Sequence, residues 1–166
     1  MELQYWAFEQ EIALANEFDT REFARDILER VQAAFPDPRQ MVARAWILAG
    51  TRLLEFARIP LNEDVRVKKV MEELVSLAGR LSAQALAVCD YSSINPGQDH
   101  RLPPEVQGAE GILSVMVRIP GSAQPSWMKS AFYRQGGENM RLLGEIEDPD
   151  VWDNIFPPWF AESASA

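Results

Sequence analysis

At 166 residues the chain has the length of one domain, enough to bury roughly 70% of its extended-chain surface on folding. Its 47% apolar, 25% charged and 10% aromatic residues exclude the disordered, collagen-like and disulfide-framework classes. Subtracting 25 acids from 16 bases leaves a net charge of −9, which repels a phosphate backbone and excludes nucleic acid as an expected direct partner.

The densest basic cluster, Arg66, Lys68 and Lys69, is followed at once by Glu72 and Glu73 and reads as the solvated face of a helix. The single cysteine, Cys89, has no partner for an internal disulfide, which fits a reducing compartment. Met1 is followed by Glu2, the first basic residue is Arg21, and no long apolar run follows. Neither a secretory signal nor a membrane span is expected, and the cytoplasm is the default location. Arg outnumbers Lys thirteen to three, a bias that suggests a GC-rich bacterial or phage genome.

In chain order, residues 2–16 read as a short helix, although Tyr5, Trp6 and Phe8 equally suit a strand. A capping-box-like pair, Asp19 and Glu22, with Phe18 and Phe23 as a hydrophobic staple, opens a helix over 20–35. Phe23, Ile27, Val31 and Phe35 form its core face, with Arg25/Glu29 and Asp26/Arg30 paired on the wet side. Pro36, Asp37 and Pro38 break and restart the chain, and 38–58 reads as a third helix, apolar nearly all round and therefore interior. After Pro60, the seam Val67, Val70, Leu74, Leu77, Leu81 and Val88 predicts a long fourth helix over 63–89. At 1.5 Å per residue it would be a rod of about 40 Å, spanning the molecule or protruding from it.

Residues 91–111 carry glycines and prolines without periodicity and read as an irregular loop. Beyond it, 112–119, 127–135 and 138–146 read as strands, the last two joined through Gly136-Gly137. The expected architecture is α+β: a bundle of about four helices with a long fourth helix, then a small three-stranded antiparallel sheet packed on it. One domain would cover 1–160, made of a helical section 1–90, the loop 91–111, a β section 112–146 and an acidic, aromatic tail 147–160. Residues 161–166 should fray.

No motif carries a family resemblance, and no HExxH, CxxC or phosphate-gripping glycine loop occurs, so no metal and no cofactor are expected. The weak catalytic candidates are His100, the only histidine, with Asp99 beside it as a general-base pair, and Cys89 as a nucleophile. Arg118, Arg134 and Arg141 are candidates for an anion patch on one polar face of the sheet. The strongest anomaly is the tail, where Glu145, Glu147, Asp148, Asp150 and Asp153 surround or precede Trp152, Phe156, Trp159 and Phe160, with no base after Arg141. Large aromatics dominate interface hot spots, and flanking acids steer a basic partner.

The leading expectation is therefore a non-catalytic cytoplasmic interaction module, such as an adaptor, chaperone, inhibitor or assembly subunit. Its partner-binding residues would be Trp152, Phe156, Trp159, Phe160, Asp148 and Asp150, its partner another protein with a basic surface, and self-association is open to it. The competing intramolecular reading packs the tail back on its own helices. The alternatives are a small hydrolase or transferase with its site around the 91–111 loop, and an acidic nucleic-acid mimic that occupies a basic groove.

Overall fold

In seven segments the chain alternates its residues between two sides instead of winding them round an axis, and a sheet is the result. The computed structural model describes residues 8–11, 20–50, 52–56, 64–94, 102–118 and 127–147. Among them are seven strands, β1 (Phe8–Glu11), β2 (Arg44–Ala49), β3 (Arg52–Phe56), β4 (Ala85–Ser93), β5 (Gly111–Arg118), β6 (Trp127–Gly136) and β7 (Asn139–Ile146). Two α-helices join them, α1 (Thr20–Ala34) and α2 (Asp64–Arg80), with short 3-10 turns at Pro38–Gln40 and Pro104–Val106. All seven strands form one sheet in the order β1-β3-β2-β4-β5-β6-β7, and every neighbouring pair is antiparallel.

The expected four-helix bundle is therefore overturned, and so is the separate three-stranded sheet. The third helix, 38–58, is instead a 3-10 turn followed by the β2–β3 hairpin, closed at Gly50 with φ +66°. Its all-round apolar character has a different cause, burial on both faces of a sheet: Ala45 and Ile47 point to one core, Trp46 and Leu48 to the other. The restart at Pro36–Pro38 is real, since Asp37 accepts from the Arg39 N–H at 3.0 Å and Pro38 opens the turn, but that turn lasts only three residues.

The fourth helix ends at Arg80, and the last part of its supposed seam is β4. Its end is a Schellman motif: the Ala83 N–H donates to Ala78 O at 2.9 Å and the Ser82 N–H to Gly79 O at 3.1 Å, with Ser82 left-handed at φ +50°. A serine holds the place glycine usually marks. In the first segment, Phe8–Glu11 takes the strand alternative, while the rest of 2–16 lies outside the described residues. The 91–111 loop is also shorter than expected, because Tyr91–Ser93 extend β4 and Leu102, Val106 and Ala109 are buried on the sheet. Strands β5, β6 and β7 match the expected β section, with the two-residue turn at Gly137-Glu138, one position later than the glycine pair implied.

The connections explain why the helices lie on opposite faces. From the antiparallel pairings, β1 runs parallel to β2, and β3 parallel to β4. The chain thus makes two crossovers in the same direction along the sheet, through α1 over β3 and through α2 over β2, but on strands of opposite sense. Crossovers of one hand then require opposite faces. Accordingly, Phe23, Ile27, Leu28 and Val31 of α1 pack on Trp46, Leu48, Cys89, Leu113 and Val115. On the other side, Leu74 and Ala78 of α2 cover Ile47, Leu86 and Val88, and Val106 and Ala109 share that core with Ile112 and Phe132. Among the described residues, no helix is long and apolar enough to cross a membrane.

Candidate functional site

Of the expected catalytic residues only Cys89 lies among those described. It sits in β4 on the α1 face, wholly buried, and burial pushes its thiol well above the ordinary value, with the Asp90 charge adding to the shift. A thiol held neutral and sealed under a helix is a core filler rather than a nucleophile. His100 and Asp99 lie outside the described residues, as do Asp148, Asp150, Trp152, Phe156, Trp159 and Phe160.

The opposite face carries a polar row that sequence reasoning missed. Register places Asp90 of β4 beside Ser114 of β5, and Ser114 beside Ser130 of β6. Ser130 Oγ donates to Ser114 Oγ at 2.8 Å, both residues being buried, so the Ser130 proton has its acceptor within the row. Asp90 accepts from the Tyr91 N–H at 2.8 Å; burial nevertheless raises its carboxyl to about 6, the Tyr91 bond offsetting only part of the cost. The signal available in the sequence was a polar residue in the middle of a doubly buried apolar run, as Ser114 is within Ile112–Val117.

A second polar cluster ties α1 to the β7 end of the sheet. Lys129, only 8% exposed, places its ammonium 3.0 Å from Glu147 and 3.6 Å from Glu145. Arg21 reaches Glu147 at 3.3 Å and lies over the Trp127 ring at 4.8 Å, while Gln32 donates to Tyr133 and Glu145, each at 3.2 Å. Burial works to raise the Glu147 carboxyl, but the bonds and charges of Lys129 and Arg21 outweigh it and hold it below its usual value. Two carboxylates of the acidic segment are thus engaged within the chain.

The anion patch is not assembled as expected. Arg134 and Arg141 are cross-strand partners, and Arg134 lies 3.7 Å from Glu110, whereas Arg118 stands at the far end of β5. Strand β7 itself closes the sheet. Among the described residues nothing pairs with its outer edge, and Leu142 on it is 45% exposed. Eight residues of strand without a proline offer unpaired main-chain donors and acceptors to a further strand. Among the described residues no group of three or more His, Cys, Asp or Glu side chains is placed to hold a metal ion.

What the arrangement provides is a sheet edge that is unpaired among the described residues, followed in sequence, after Glu147, by the acidic and aromatic segment 148–160. No family model matches the sequence, and searches of curated proteins and of solved structures return no match either.

Proposed function

We propose that this protein is a non-catalytic interaction module that acts in the cytoplasm and docks a basic protein partner along the free edge of β7 and the segment that follows it. The observation that carries the reading is the outer edge of β7, an eight-residue strand that has no partner on that side among the described residues and carries the half-exposed Leu142, immediately before the chain's most acidic and aromatic stretch. Strand addition supplies affinity through main-chain hydrogen bonds, and aromatic anchors supply specificity. Trp152, Phe156, Trp159 and Phe160 are the proposed anchors, Asp148 and Asp150 the steering charges, and the net charge of −9 favours a partner of opposite sign.

The nucleophile of the hydrolase or transferase alternative is sealed, since Cys89 is buried beneath α1. The test is affinity capture from the native host followed by amide exchange on the complex. A basic partner should slow exchange across Asn139–Ile146, bind more weakly as salt rises, and be lost in the Trp152→Ala/Trp159→Ala double variant while the fold persists. Unchanged exchange in β7, salt-insensitive binding, or unfolding of the double variant would overturn the proposal, the last in favour of a tail docked on its own chain.

A further inference from the structure

Strand β7 offers more than bare main chain, because its side chains divide unevenly between the two faces of the sheet. Its outer edge has no partner among the described residues. Arg141 is the register partner of Arg134, so the two share a face, and like charges set directly opposite repel. Arg134 is already engaged: it lies 3.7 Å from Glu110, and a β-carbon added to Gly108 would stand 3.2 Å from one of its terminal nitrogens. That segment belongs to the α2 side, where Val106 and Ala109 are buried. Arg141 is exposed and has no carboxylate partner among the described residues. Its neighbours alternate to the α1 side, where Met140 packs at the margin of the core and Leu142 is left 45% exposed. On the outermost strand, then, a cation without a counter-charge stands on one face, between two apolar side chains on the other.

We infer that the segment docking on β7 is a strand carrying an apolar–acid–apolar triplet, its carboxylate beside Arg141 and its apolar side chains beside Met140 and Leu142. The inference rests on the proposed use of the β7 edge and specifies what occupies it. An added strand keeps the two-residue alternation of the sheet, so residues opposite Met140, Arg141 and Leu142 fall on the α1, α2 and α1 sides in turn. The pattern reads the same in both directions and therefore serves parallel and antiparallel addition alike. A carboxylate there gives Arg141 an opposite charge to set against the like charge of Arg134, and the apolar pair covers Leu142. A second copy of this chain is the poorer occupant, since a net charge of −9 would meet another of −9. The partner's basic surface is left for the acids that follow Ile146 in sequence.

The test titrates the full chain, labelled with nitrogen-15, with three blocked peptides, acetyl-Ser-Thr-Val-X-Val-Thr-Ser-amide, in which X is Glu, Gln or Lys. The β7 backbone amides should shift saturably, with a dissociation constant on the order of 1 mM for the Glu peptide. The Gln peptide should bind about threefold more weakly and the Lys peptide about tenfold, and added salt should narrow the spread. Arg141→Glu should reverse the order so that the Lys peptide binds best, whereas Leu142→Ser should weaken all three about equally. Equal affinity for the three peptides, or an order that Arg141→Glu leaves unchanged, overturns the triplet while β7 still stands as a docking edge. No shift in β7 with any peptide overturns the edge reading and the triplet with it. A mass that doubles with protein concentration in the absence of peptide, with the β7 amides protected, overturns the triplet in favour of a second copy.

Discussion

Gly111 shows how far a single hydrogen atom can matter in this sheet. Its face is roofed by the Tyr91 phenol, into which an added β-carbon would run. Gly111→Ala is expected to cost about 2 kcal/mol in chemical denaturation, and much less in a background where Tyr91→Ala has removed the ring, because the two lesions share one contact. Asp90 sets a different kind of dependence. Its carboxyl is raised from 3.8 to about 6 in the folded protein, so between those values the folded state holds a proton that the unfolded chain has released. Stability from this group therefore falls as pH rises from about 4 to 6, by roughly 2–3 kcal/mol, and the loss is complete above 6. Glu147 runs the other way, its contribution disappearing as pH falls below the ordinary carboxylate range. Asp90→Asn should be more stable than the natural protein at pH 7 and flatten the stability profile between about pH 4 and 6; an unaltered profile would contradict the assignment.

At the scale of elements, what could be read from sequence depended on where the partner of each residue lies. Helix α1 was legible because the four-residue spacing of Phe23, Ile27 and Val31 is local, its expected cap Asp19 and staple residue Phe18 lying outside the described residues, and the β6–β7 hairpin because its turn needs a left-handed residue that Gly137 supplies at φ +68°. The 38–58 and 81–89 segments were not, since Trp46, Ile47, Leu86 and Val88 are apolar in every direction and only distant strands decide whether such a run coils or extends. The helix stop at Ser82 was hidden for a conformational reason, a side chain occupying a backbone region that glycine enters freely. Ser82→Gly is accordingly expected to raise the unfolding free energy by about 0.5–1 kcal/mol without changing the fold. The cluster joining α1 to β6 and β7 makes an opposite prediction. Lys129→Met leaves Glu145 and Glu147 without their shared cation and should cost about 3 kcal/mol at neutral pH, a loss that shrinks under acid as the carboxylates take up protons.

Across the whole molecule, the candidate site was only partly within reach of sequence: the acidic and aromatic segment stands out in composition, but the open edge beside it is a property of strand order, which no local pattern encodes. Strand order also ranks the parts by resilience. β2, β4 and β5 are paired on both sides and roofed on both faces, so their amides should exchange last, with β1 and β7 opening first in a hydrogen-exchange series. Uniform protection from edge to centre would count against this arrangement. The two crossovers have one more consequence. Because α1 and α2 are seated on opposite sides, the protein contains two oily compartments divided by a single layer of backbone, and each central strand feeds both through alternate side chains. Damage in one compartment reaches the other by displacing that shared partition rather than by side chains pressing on one another, so substitutions beneath α1 and beneath α2 should combine almost independently.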